Sequence, residues 1–293
     1  MPIKHSGFDR FLLTLNMIFL SLAVLIVVIP LIYVLIASFM DPSVLLSQGI
    51  SFHLSDWSLE GYKKILSNPA MIRGFGNAVL YSVSFAACTV LISIFAGYAL
   101  SDDRLRGKGF FMTLFIITMF FSGGLIPTYL LVKNLGLLNT VWAVIIPGAV
   151  NVWNIILSRT FFKGVPNELK EAANVDGASE MRIFFRVVLP LSKPIIFVLA
   201  LYAFVGQWNS YFDAMIYLDN PNLHPLQLVL RSILIQNQVD PGMISDQLAM
   251  AELKRLSEII KYAAIVVSSL PLIIMYPFFQ KYFEKGVMVG SLK

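Results

Sequence analysis

The sequence is short of the residues from which most chemical sites are built. Cys88 is the one cysteine in 293 residues, and it lies within an apolar run, so an internal disulfide and a cysteine-rich metal site are both excluded. The three histidines, His5, His53 and His224, are scattered and share no ligand spacing. No Ser-His-Asp set, pair of catalytic carboxylates or metal cluster can be assembled. There is no G-x-x-x-x-G-K-[ST] segment, so no phosphate-cradling loop for a nucleoside triphosphate. Low-complexity tracts and tandem repeats are missing as well. Charge is scarce: 13% of residues are charged and 57% are hydrophobic. In such a chain the net charge of +5 reads as an asymmetry between two sides of a membrane rather than as affinity for nucleic acid.

What the sequence does have is long hydrophobic runs, several beyond the ~18 residues that suggest a bilayer span. Six spans are expected, at about Leu12–Phe39, Asn77–Leu100, Phe110–Val132, Val141–Phe162, Pro194–Leu218 and Tyr262–Tyr282. The first is too long for a signal-peptide core and no small-residue cleavage site follows it, so it reads as an uncleaved span. Prolines 30, 127, 147, 271 and 277 lie within spans, where kinks are tolerated. The fold class expected is all-α: one polytopic membrane domain over 1–293, with long outer loops at 40–76 and 219–261. Within the first loop, WSLEGYKKIL has the pattern of a short amphipathic helix at the interface. With the N-terminus inside, fourteen of the 22 Lys and Arg face the cytoplasm, so both termini and the loop 163–193 are expected there.

That loop contains the most polar long stretch in the middle of the chain, EAANVDGASEMRIFFRVVLP, from Glu171 to Pro190. Two short helical patterns flank Gly177, which can take a positive φ cheaply. Pro190 interrupts the second. The expected result is a helix-turn-helix elbow on the membrane surface, with small side chains at its tip.

The spacing of Glu171, Ala172 and Ala173, then Gly177, then Val187, Leu189 and Pro190 resembles the cytoplasmic coupling loop of ABC-importer permeases. Val187 stands where that family usually has Ile. Further segments are similar to the carbohydrate-uptake branch: GYALS at Gly97–Ser101, IPTYLLVKNLGLLNT at Ile126–Thr140, WAVIIPGAV at Trp142–Val150, FVGQWNSYFDAMIYL at Phe204–Leu218 and QKYFEKGVMVGSLK at Gln280–Lys293. The branch usually has a basic residue directly after GYALS; here Asp102 and Asp103 precede Arg104.

The resemblance implies a division of labour. An external binding protein captures a carbohydrate, and two non-identical permeases in the membrane form the pathway. Two ATPase chains below bind ATP and Mg, and the chain itself carries no cofactor and is not an enzyme. Glu171, Ala172, Ala173, Asp176, Gly177 and Ala178 are then the candidates for ATPase contact. Glu171 has two readings, a carboxylate favoured by the helix dipole or an ion pair with a basic residue of the partner, and the resemblance favours the second. Polar residues inside spans are costly and usually face a bundle interior or pathway. Gln207, Trp208, Asn209 and Asp213 in span 5, Asn151 and Asn154 in span 4, and Asn77 in span 2 are the pathway candidates. Interhelical hydrogen bonding is their other reading. The acidic pair Asp102–Asp103 reads as a solvated turn. The rival functional classes are an ion-gradient-driven secondary transporter, which would call for intramembrane charge relays and repeats, and a membrane enzyme acting on lipid-linked sugars.

Overall fold

The structure is a computed structural model that describes residues 7–236 and 260–280. Among the described residues the elements are helical, and strand pairing is confined to an isolated bridge between Met40 and Trp57. The described chain falls into two compact units, divided between residues 68 and 69, 232 and 233, and 269 and 270.

The first unit begins with α1 (Gly7–Ala37). This helix is apolar all round and exposed within the chain along almost its whole length, the character of a lipid-facing span. At ~1.5 Å per residue it is about 46 Å long, enough to cross the ~30 Å hydrocarbon core of a bilayer. Beyond it, Asp41 caps α2 (Pro42–Gln48), accepting from the Ser43 backbone N–H at 2.9 Å. Aromatic packing fixes the following loop. Phe39 meets Tyr62 at 5.0 Å and Trp57 at 6.1 Å, and Ser38 shares a 2.7 Å hydrogen bond with the Tyr62 hydroxyl. Tyr62 lies on α3 (Glu60–Ser67), the short helix in WSLEGYKKIL, which buries Gly61 and Ile65 and pairs Lys64 with Glu60 at 3.0 Å on its outer face.

The second unit is built around α4 (Pro69–Ser101). The other helices are α5 (Lys108–Phe120), α6 (Leu125–Asn134), α7 (Trp142–Ala149), α8 (Val152–Lys163), α9 (Asn167–Val175), α10 (Glu180–Ile183), α11 (Leu189–Leu191), α12 (Lys193–Asn209) and α13 (Phe212–Tyr217). After these, α14 (Leu226–Gln236) and α15 (Ile260–Gln280) run across the divisions. Helices α12, α8 and α7 pack on α4. The reason lies in a stripe of small residues: Gly74, Ala78, Ser82, Ala86, Ser93, Gly97 and Ser101 are all buried along it. Small residues let helix backbones approach where lipid supplies no hydrophobic drive. The approach is tightest at Gly97, where an added Cβ would overlap Ser158 Oγ of α8 and stand 2.9 Å from the Arg159 backbone nitrogen. Two polar contacts tie the same crossing: the Ser158 hydroxyl reaches Ser93 O at 2.7 Å, and Arg159 Nε donates to Leu100 O at 3.1 Å.

Among the described residues three helices, α1, α4 and α15, are long and apolar enough to cross a bilayer, and up to six segments qualify if each bent pair counts as one. The pairs are α5 with α6, bent by 114°; α7 with α8, bent by 50°; and residues 180–191 with α12, bent by 77°. Several helix limits differ from the sequence expectation. Helix α4 starts at Pro69, eight residues before Asn77, and its first turns pack on the turn at Pro221–Leu223 through Arg73 and Asn77. The span expected around Pro147 breaks not at the proline but at Val150–Asn151, where Asn151 caps α8 by accepting from the Asn154 N–H at 3.0 Å. Helix α12 ends at Asn209, short of the expected Leu218, and α13 follows after Ser210 and Tyr211. Residues 237–259 of the loop expected at 219–261 and the closing segment 281–293 lie outside the described residues.

Candidate functional site: an elbow and a hollow

The elbow runs from α9 to α11. Helix α9 ends in a glycine cap: Gly177, at φ +74°, donates to Asn174 O at 3.0 Å, and Ala178 donates to Ala173 O at 3.0 Å. This paired arrangement satisfies the last carbonyls of the helix and needs a left-handed residue at position 177. After Ser179, α10 passes into a wide π turn over Phe184–Val188 and on through α11. The π turn accommodates the ring of Pro190, so the helical path reaches Leu191 before it bends at Ser192.

Apolar packing anchors the second arm. Ile183, Phe184 and Val188 are buried with Ile94 of α4, Phe162 of α8, and Ile195 and Leu199 of α12. Phe184 lies 4.7 Å from Tyr98 and 5.3 Å from Phe95, both on α4. Burying three such side chains contributes roughly 1.5–3 kcal/mol each, enough to make the arm part of the helix bundle.

The six predicted contact residues divide between two environments. Glu171, Ala172, Asp176 and Gly177 are exposed. Ala173 and Ala178 are half-buried against the apolar cluster, so their methyls also secure the elbow from within. Glu171 lines a polar hollow of about 300 Å³ together with Tyr98, Ser101, Asn167, Lys170, Asn174, Glu180 and the turn Asp102–Arg104. Val175, beside the tip, is 88% exposed; it escaped the sequence reading because a single valine in a helix normally signals a core position.

The acidic turn is not merely solvated, as its sequence suggested. Arg104 Nη2 donates to Asp102 Oδ2 at 2.7 Å and to Glu180 Oε1 at 2.6 Å. The Arg104 guanidinium holds the Asp102 carboxyl below the usual carboxylate range. Asp103 pairs with Lys108 and lies 3.8 Å from Lys163.

A second hollow, of about 460 Å³, opens between α4, the break before α8, and α12. Three predicted pathway residues meet there: Asn151 and Asn154 from the start of α8, and Gln207 from α12. Phe85, Trp153 and Tyr202 add aromatic faces. Thr89 of α4 also lines it, fully buried, and its hydroxyl has no hydrogen-bond partner among the described residues. Thr89 was not singled out from the sequence, where it sits unmarked in an apolar run.

The other four pathway candidates lie elsewhere. Trp208 is packed in the core, 5.9 Å from Phe204 and 5.5 Å from Phe75. Asn209 is exposed and donates to Val205 O of its own helix at 3.0 Å. Asp213 is exposed near the start of α13. Asn77 Nδ2 donates to Asn222 O at 2.8 Å and His224 O at 3.1 Å, pinning the loop after α13 to α4. Tyr81 assists it, donating to Leu223 O at 2.8 Å.

Broken helices thus surround a polar hollow, and a polar elbow is locked onto the same bundle. Residues 90–289 match the binding-protein-dependent transport system inner membrane component family, and the chain belongs to it. It is 39% identical to the polygalacturonan/rhamnogalacturonan transport system permease protein YtcP of Bacillus subtilis (strain 168), over 94% of this chain and 96% of that one. It is 37% identical to the protein LplC of the same organism, over 95% and 93% respectively. A bacterial ABC transporter involved in the import of the acidic polysaccharide alginate has a chain of the same fold. The TM-score is 0.85 at 32% identity, covering 96% of this chain and 99% of that one. The chain is therefore an inner-membrane permease subunit, a transport component and not an enzyme.

Proposed function

We propose that this chain is one permease of an ATP-driven importer that passes a carbohydrate, of oligosaccharide size, from an external binding protein to the cytoplasm. The single observation that carries this reading is the elbow, buried into the helix bundle on one side and exposed at Glu171, Val175 and Asp176 on the other. An arm of that kind transmits a partner's movement to the helices it is welded to. The chain works as one membrane domain of six spans, each bent pair counting as one, with both termini and the elbow in the cytoplasm. Two ATPase chains dock below, and a second, non-identical permease completes the pathway. ATP and Mg belong to the ATPases. The cycle is alternating access, and coupling requires the ATPases to hold the elbow differently in the two states, since equal binding would shift nothing.

The carbohydrate reading rests on the names of the relatives and on the chemistry of the hollow. Asn154 and Gln207 offer hydrogen bonds, and Trp153 and Tyr202 offer flat faces of the kind that suit sugar rings. Asn154→Leu and Gln207→Leu are expected to lower uptake of the transported sugar roughly tenfold each, about the 1.4 kcal/mol of one lost hydrogen bond. Hydrolysis of ATP in the assembled complex should persist. Uptake by both variants equal to wild type, measured with radiolabelled sugar in proteoliposomes, would remove the hollow from the pathway.

A further inference from the structure

We propose that the turn Asp102–Arg104 is an ionic bracket that holds both ends of the elbow's first arm, with Arg104 the positioning residue that keeps that arm in register for coupling; this rests on the importer reading above. The two arms of the elbow are held unequally. The second arm is anchored by Ile183, Phe184 and Val188, whereas α9, which carries Glu171, buries no residue and touches the apolar cluster through Ala173. A polar hollow separates α9 from the turn. The tip is open as well, since nothing lies within 4 Å of a Cβ built on Gly177. Apolar packing therefore leaves the direction of the first arm underdetermined.

The turn supplies the missing restraint. It closes α4 and is followed by α5, so its backbone is tied to the bundle at both ends. Arg104 Nε donates to both carboxylate oxygens of Asp102 at 3.1 Å, and the Arg104 backbone N–H donates to Asp102 Oδ1 at 2.8 Å. The guanidinium is thus locked before it reaches Glu180, the first residue of α10. The Tyr98 hydroxyl donates to the other Glu180 oxygen at 3.4 Å. Asp103 meanwhile faces Lys163, the last residue of α8, from which the elbow departs. One turn thus touches the elbow where it leaves α8 and where its second arm begins. The planar fork of arginine fixes direction in a way that a lysine cannot. Exposed ion pairs add little to stability, so loss of the bracket leaves the fold intact and alters only where the elbow points.

The test uses the complete importer in proteoliposomes with Arg104→Gln, Glu180→Gln and the exchanged pair Arg104→Glu with Glu180→Arg. In the exchanged pair, the arginine introduced on α10 still faces an acidic turn, formed by Asp102 and the glutamate introduced beside it. Each single variant should retain its ATPases but lose about fivefold in sugar imported per ATP hydrolysed, the low end of coupling between sites. Amide hydrogen exchange across 167–183 should speed up about threefold or more. The exchanged pair should recover most of both. Unchanged uptake per ATP in the single variants, unchanged hydrogen exchange, or an exchanged pair as poor as either single variant would each overturn the bracket. A wild-type complex without ATP-driven uptake would instead overturn the importer reading and the coupling role with it. The hydrogen-exchange comparison would still separate a bracket from a solvated turn.

Discussion

Glu171→Ala is expected to abolish ATP-driven uptake while the chain remains inserted and folded. The residue is exposed on α9 and, among the described residues, no side chain forms an ion pair with it, so its removal costs the isolated chain little. On the function proposed above it pairs in the complex with a basic residue of the ATPase, and a charge-assisted bond of this kind is worth about 1.5–3 kcal/mol. Its loss corresponds to roughly a ten- to hundredfold weaker grip on the elbow. Gly177→Leu should give the same phenotype by another route. At φ +74° a side chain is strained by roughly 1–2 kcal/mol, and the cap that sets the angle between α9 and α10 is lost. Uptake assays paired with protease mapping of the inserted chain check both. Normal uptake by both variants would take the elbow out of the coupling step.

Gly97→Leu is expected to have the largest effect on the fold itself. A Cβ at position 97 already overlaps Ser158 Oγ, and although that hydroxyl could rotate, the Arg159 backbone nitrogen 2.9 Å away cannot. The α4–α8 crossing would have to open, freeing the Ser158–Ser93 and Arg159–Leu100 hydrogen bonds. Overpacking of this kind costs about 1–3 kcal/mol. In detergent the purified variant should unfold roughly 2–12 °C below wild type, at about 2–4 °C per kcal/mol, with Gly97→Ala in between. A Gly97→Leu protein with wild-type thermal unfolding would contradict the close approach.

Much of this arrangement is legible in the residues, and the exceptions have physical causes. The elbow can be read from Glu171 to Pro190 because a glycine at a fixed distance from a helical pattern has few other uses. The hollow is only half legible. Asn154 and Gln207 reach it, but Trp208 does not, because adjacent residues on a helix point about 100° apart and only packing decides which faces the gap. The small residues of α4 recur every four positions from Gly74 to Ala86 and again from Ser93 to Ser101, a pattern open to reading but masked by the apolar residues between them. The break at Val150–Asn151 is less accessible. Pro147 marks the region, yet the helix ends where Asn151 can cap its successor. The acidic turn hides its long-range partners: Arg104 meets Glu180, and Asp103 meets Lys163, only where the fold brings them near.

The most direct test of the central claim is purification of this chain in mild detergent from its native cell, with identification of the proteins that accompany it and measurement of ATP hydrolysis. The expected result is a complex holding an ATPase, a second permease and hydrolysis that falls when Glu171 is replaced by alanine. Recovery of the chain without any ATPase across several detergents, with uptake that survives ATP depletion but collapses with an ionophore, would contradict it and point to a transporter driven by an ion gradient.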